Sequence, residues 1–141
     1  MACCTATHTA NFGLRKDGSF GVGYFGADDV SRGNDTDWAQ LVAGVVWLVR
    51  DRRNYVAQSA RLEDLSVQET GSSFVTVTSA RHSIGHDRLG RLMLVLVNGK
   101  TGQRGVNLDS FANLLVSLGA VNAINLDGGT HDTRHETHDT C

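Results

Sequence analysis

V121-N-A-I-N-L-D-G-G129 is an apolar run that stops at a carboxylate and two glycines. Val121, Ala123, Ile124 and Leu126 suit a buried strand, with Asn122 and Asn125 interrupting the apolar surface. Asp127 then stands at the strand's C-terminal end, where Gly128 and Gly129 allow a tight bend. In an α/β-type sheet that edge is where a ligand crevice opens. A bare D-G-G is also an ordinary turn, so the run alone leaves both readings standing.

Just upstream, V106-N-L-D-S-F-A-N-L-L-V-S-L118 has helical spacing, with Leu108, Phe111, Ala112, Leu115 and Leu118 in one apolar stripe. Asp109 or Asn107 can cap its start and Gly119 its end, so helix and strand form a compact αβ unit. L92-M-L-V-L-V97 is apolar without alternation, which predicts a strand covered on both faces. F74-V-T-V-T78 alternates and predicts another strand.

Earlier in the chain, N11-F-G-L-R-K-D-G-S-F-G-V-G-Y-F25 reads as a hairpin turning at Asp17 and Gly18. The first eleven residues are small and polar and are expected to be loose. Residues 26–37 read as a surface loop, and L41-V-A-G-V-V-W-L-V49 as a buried, β-branched element favouring strand. Asp37, Trp38, Ala39 and Gln40 can open that element with a helical turn, and a second edge segment is expected around Tyr55 and Val56. Residues 58–72 lack a clean period.

A length of 141 residues suits one domain with a real core. Apolar residues make up 40% and charged residues 20%, the balance of a soluble folded protein. Thirteen basic and 15 acidic side chains give a net charge of −2, so no basic field exists to track a nucleic acid backbone. With no proline, the 16 glycines must supply most of the turn chemistry. Nothing at the N-terminus reads as a signal peptide, and the 92–97 run is too short to cross a bilayer. Cys3, Cys4 and Cys141 make no disulfide framework by spacing. N34-D-T36 is a glycosylation acceptor if the polypeptide enters the secretory route.

The densest polar stretch is R81-H-S-I-G-H-D-R88, read as a loop between two strands. Arg81 and His86 can neutralise and hydrogen-bond a phosphate or carboxylate, and Gly85 lets a backbone approach closely. A solvated connection with incidental charges fits the same composition. Arg81 and Asp127 both follow predicted strand ends; if those strands are parallel neighbours, both reach one edge of the sheet. Arg104 and Asn107 in Q103-R-G-V-N107 can line the same cleft, although plain solvent exposure explains Arg104 as well. The tail T130-H-D-T-R-H-E-T-H-D-T-C141 has no aliphatic residue to hold it to a core and is expected to be disordered. His131, His135, His138 and Cys141 are zinc-compatible donors without a frame to preorganise them, so no metal site is assigned and no cofactor is expected.

Several separated motifs, in order, resemble the phosphodiester glycosidase domain family. They are A10-N-F-G-L-R-K-D-G18, G44-V-V-W-L-V-R50, S79-A-R-H-S-I-G-H-D-R-L-G-R-L-M-L-V95, Q103-R-G-V-N-L108 and G119-A-V-N-A-I-N-L-D-G-G129. The resemblance implies an α+β fold with a mixed sheet and few helices, forming a partial domain over residues 10–129 with a disordered His-rich tail at 130–141. It further implies hydrolysis of the bond between GlcNAc and the phosphate on mannose of lysosomal enzymes, which exposes mannose 6-phosphate. The implied partners are therefore phosphorylated N-glycans, and the implied compartment is the Golgi or secretory lumen. Arg81, Gly85, His86, Asp87, Asp127, Gly128 and Gly129 match the family pattern.

In the implied chemistry a phosphate monoester leaves readily. The site must therefore neutralise phosphate and set water or a carboxylate against an oxocarbenium-like carbon. Arg81 and His86 would hold the phosphate, Asp127 would stabilise positive charge or activate water, and Asp87 would orient His86. Two departures stand out: the family's upstream strands with an N-G-G-Y-F-type loop have no counterpart, and the continuation after N-L-D-G-G is replaced by the His-rich tail. The chain thus reads as truncated at both ends. A noncatalytic remnant or glycan-binding fragment is the alternative reading.

Overall fold

The computed structural model describes residues 8–31, 37–68 and 70–126. Asp127, Gly128, Gly129, the 130–141 tail, Cys3, Cys4 and the Asn34 acceptor lie outside the described residues. The hairpin signal at Asp17 and Gly18 produces β1 (Ala10–Arg15) and β2 (Phe20–Tyr24), paired antiparallel from Ala10 opposite Tyr24 to Leu14 opposite Phe20. The start of β1 is not loose: Ala10 is fully buried, because its strand is pinned between β2 and β3 (Trp38–Ala43). The expected surface loop contains a short helix, α1 (Ala27–Ser31).

The apolar element predicted over 41–49 is two strands in two sheets. β3 pairs with β1, whereas β4 (Trp47–Arg50) joins a five-stranded sheet. Between them Val46 takes the left-handed conformation (φ 72°), strained for a β-branched residue. That kink is held from both sides: Val46 N–H donates to Glu63 Oε2 (2.9 Å) and its carbonyl accepts from Asn125 N–H (3.0 Å). Trp38, Ala39 and Gln40 are strand, not a helical turn.

The larger sheet has the order β5-β4-β8-β6-β7, with β5 (Arg53–Asn54) lying just before the edge segment expected around Tyr55 and Val56, β6 (Arg81–Asp87), β7 (Leu92–Val97) and β8 (Ala120–Leu126). Val56 does not extend that edge but opens α2 (Val56–Leu62). The fold is α+β with few helices. Every ladder among the described strands is antiparallel, where a mixed sheet was expected.

The helix predicted over 106–118 is α3 (Leu108–Ser117), with Asn107 Oδ1 accepting from Ser110 N–H (2.8 Å) and Gly119 (φ 95°) closing it. Leu108, Phe111, Ala112 and Leu115 form its buried stripe, while Leu118 is exposed. Helices α2 and α3 cover one face of the large sheet, over Val46, Leu48, Val49, Phe74 and Ala123. The small sheet covers the other face, where Phe12, Trp47 and Ile124 form a second core.

Three sequence expectations fail outright. Residues 74–78 are turns, not a strand: the N–H groups of Thr76 and Val77 fold back onto the Ser73 carbonyl (3.0 and 2.8 Å). The polar stretch 81–88 is not a loop; residues 81–87 are β6, paired on both sides by β7 and β8. Nor is β7 covered on both faces, since Leu92, Leu94 and Leu96 are exposed. No helix among the described residues is long and apolar enough to cross a membrane.

Candidate active site

Because β6 is a strand, its side chains alternate, and the residues expected to converge are dealt to opposite faces. Arg81, Ser83 and Gly85 are buried on the helix side, while His82, Ile84 and His86 are half-buried on the other. Arg81 and His86 also lie at opposite ends, about 16 Å apart at the usual rise of a strand. They do not grip one phosphate together.

At the first end, Arg81 is 5% exposed. Its Nη2 donates to the carbonyls of Phe74 (2.8 Å) and Val77 (2.9 Å), its Nε lies 3.4 Å from the Val106 carbonyl, and its guanidinium sits over the Phe74 ring. The turns at 74–77 exist in this form because their carbonyls are needed there. A buried cation must be satisfied, and these backbone carbonyls are among the acceptors that do so. Arg81 is thus a structural clamp on the start of β6.

β8 runs antiparallel to β6 and brings Leu126 opposite His82. Its last described residue therefore lies beside the Arg81 end, and Asp127 follows directly in sequence. Arg81's strand start and the β8 terminus are neighbours, but through antiparallel pairing rather than the parallel one supposed. The 98–107 connection reaches the same end, with Val106 bridged to Ser79 and Arg104 exposed to solvent. The Asn107 side chain caps α3, its Oδ1 accepting from Ser110 N–H.

Sequence reasoning missed two features here. Asn125 is 1% exposed, and its Oδ1 has no hydrogen-bond partner among the described residues, an expensive state for a buried acceptor. The signal was present, an asparagine inside an apolar strand. The second is Glu63, whose Oε1 accepts from Ser59 Oγ (2.8 Å) while Oε2 holds Val46 N–H. Tyr24 OH joins Ser59 Oγ (2.7 Å), and Val45 N–H donates to the Asn125 carbonyl (2.8 Å), tying this network to the end of β8. Burial pushes the Glu63 carboxyl above its ordinary range and the Tyr24 hydroxyl up to about 12.

At the other end, His86 lies against Phe20 (5.9 Å, stacked) and Phe12 (6.5 Å). Its Nδ1 is 3.0 Å from the Asp87 carbonyl; a carbonyl only accepts, so Nδ1 carries the proton. Nε2 then accepts from Asn122 Nδ2 (3.3 Å), whose amide is oriented by Asp51 N–H donating to Oδ1. Asp87 therefore orients His86 through its backbone, not its carboxylate. That carboxylate accepts from the Leu89 and Arg91 N–H groups and pairs with Arg91 Nε (2.6 Å), and the Arg91 N–H bond leads in holding it below its ordinary range.

Gly85 lets β6 pack closely against β8. A Cβ there would lie 2.4 Å from the Asn122 carbonyl oxygen and 2.6 Å from Ala123 Cβ. Among the described residues no three histidine, cysteine, aspartate or glutamate side chains gather as a metal site.

A sequence model of the family described as phosphodiester glycosidase matches residues 4–138. N-acetylglucosamine-1-phosphodiester alpha-N-acetylglucosaminidase of Bos taurus is 47% identical over 122 residues, 85% of this chain and 23% of the relative. The Homo sapiens protein of the same name is also 47% identical over 122 residues, covering 24% of its length. The chain thus spans about a quarter of the length of these relatives. Among solved structures, the zebrafish protein of that name, its catalytic domain auto-inhibited by its pro-peptide, superposes with a TM-score of 0.78 at 44% identity, over 86% of this chain and 40% of that one.

Proposed function

Because the chain belongs to the phosphodiester glycosidase family, we propose that it carries one side of a site hydrolysing the GlcNAc-α-1-phosphate bond on phosphomannosyl glycans, uncovering mannose 6-phosphate. The observation that carries this reading is the β6–β8 register, which sets the start of β6 beside the β8 residue that precedes Asp127. In this reading Asp127 is the carboxylate that stabilises the oxocarbenium-like carbon or activates water, and Gly128 and Gly129 admit the sugar phosphate. Arg104 is the exposed cation that meets the phosphate from the neighbouring connection. Arg81 is a positioning residue, since its guanidinium clamps β6 to the 74–77 turns. The orphaned Oδ1 of Asn125 supports a polar group arriving at this end. His86, Asp87 and Gly85 act by holding the far half of the β6–β8 ladder. The acceptor at Asn34 agrees with a Golgi or secretory lumen as the compartment.

The test is release of GlcNAc from a GlcNAc-α-1-phospho-6-mannoside, followed by chromatography. Asp127→Ala is expected to lower turnover at least about 100-fold. Arg104→Ala is expected to raise KM about tenfold, the loss of one charge-assisted contact. A second reading, a noncatalytic chain that only binds glycan, is favoured by the burial of Arg81 against backbone carbonyls. Cooperative unfolding without any turnover would select it over the enzyme.

A further inference from the structure

Glu63 is a half-buried carboxylate that the proposed chemistry leaves without a task. It stands just past the end of α2, its own N–H bonded to the Ser59 carbonyl (3.0 Å). From there its two oxygens close on one residue, Val46, which holds φ 72° inside the core. The peptide plane before Val46 is fixed directly, since Val46 N–H donates to Oε2 (2.9 Å). The plane after Val46 is fixed through fully buried Ser59, whose Oγ accepts from Trp47 N–H (2.8 Å) and donates to Oε1 (2.8 Å). Ser59 has one hydroxyl proton and gives it to Glu63, so Tyr24 OH is the donor in its 2.7 Å contact with Ser59 Oγ. These two planes set φ and ψ of Val46, and both are tied to one carboxylate. A β-branched residue in the left-handed region persists only where its surroundings over-determine it.

What that conformation positions is the end of β8. The Val46 carbonyl accepts from Asn125 N–H (3.0 Å), and Val45 N–H donates to the Asn125 carbonyl (2.8 Å). Gly44 presses on the same carbonyl, where a Cβ would lie 2.3 Å from the oxygen. Residues 44–46 thus wrap the backbone of Asn125, two residues before Asp127. We infer that Glu63 is a positioning residue for the site at the end of β8: by holding Val46 left-handed it fixes Asn125, and through Asn125 the direction in which the chain delivers Asp127. This role rests on Asp127 being the reactive carboxylate of the proposed function. A reacting group displaced by about 1 Å loses rate steeply, whereas the contact of Arg104 with the phosphate comes from a different connection and is left alone.

Two readouts separate positioning from chemistry. Amide exchange followed by NMR on the 141-residue chain reads Val45 and Asn125 without any substrate. Glu63→Ala is expected to quicken exchange at these two amides at least about tenfold, while Met93 and Val95 in the β6–β7 ladder keep their rates. On GlcNAc-α-1-phospho-6-mannoside the same variant is expected to lower kcat about tenfold with KM within about twofold of the parent. Glu63→Gln keeps an oxygen for Val46 N–H and is expected to restore both readouts. Ser59→Ala cuts the indirect tie alone and is expected to give a smaller change in the same direction; it decides the matter if Glu63→Ala does not fold. An Asn125 amide that ignores the loss of the carboxylate overturns the role, as does loosening at Asn125 with kcat retained. Faster exchange at every amide alike overturns it too, since Glu63 would then be a general support of the fold. If the parent chain shows no turnover, it is the proposed function that fails, and the Asn125 exchange rates alone decide the positioning.

Discussion

The two ends of β6 carry similar letters and do opposite things. At the first end Arg81 is buried, and its charge is taken up by the carbonyls of Phe74 and Val77. At the second, His86 is half-buried between Phe12, Phe20 and Asn122, with each ring nitrogen given a partner. A permanently charged guanidinium enters a core only where acceptors meet it, and here backbone carbonyls are among them, so the chain around it is shaped to the cation. An imidazole ring is satisfied by one partner at each nitrogen, which the Asp87 carbonyl and one asparagine supply. The first end therefore organises backbone, and the second is organised by it.

Breaking the Arg81 end should have the largest effect. Arg81→Met keeps the stem but strands the carbonyls of Phe74 and Val77, and is expected to cost about 3 kcal/mol, roughly 10 °C in Tm by thermal denaturation. A smaller loss, about 2 kcal/mol, is expected for Gly85→Ala, because the new methyl meets the β8 backbone at the point that joins the two ends. Chemical denaturation with an unchanged m-value would show that this change loosens the ladder without unfolding a separate part.

The smallest effect is a pH dependence at the His86 end. The Asp87 carboxyl is held below its ordinary range, so its contribution is present above the ordinary carboxylate pKa and is lost as pH falls through the lowered one. Amide exchange at Leu89 and Arg91, corrected for its intrinsic pH dependence, should quicken on acidification. Asp87→Asn should flatten that response. If Arg81→Met proves neutral while Asp87→Asn unfolds the protein, the ranking of the two ends is reversed.

The hairpin, α3 and β8 were legible because each carries a local signal: a turn pair, a 3.6-residue stripe with caps, an apolar run closed by glycine. β6 was not legible, because neither face is apolar throughout: one bears Arg81, Ser83 and Gly85, and the other pairs Ile84 with two histidines. Residues 74–78 misled in the other direction. Their alternation fits a strand, yet their carbonyls were required by Arg81, and tertiary demand overrode propensity. The run over 41–49 hid its break, since no letter there announces that Val46 would adopt a conformation suited to glycine.

Local pattern determined which residues form the hairpin, the helix and the central strand, and the ordered motifs determined the family. Only the tertiary structure decided which side chains meet. Strand partners, and hence the face and end to which each residue of β6 points, are set by contacts between segments distant in the chain. Arg81 came to rest as a clamp, Asn107 as a cap and Gly85 as a packing contact because buried charge, open helix ends and close strands each demand a partner wherever folding puts them.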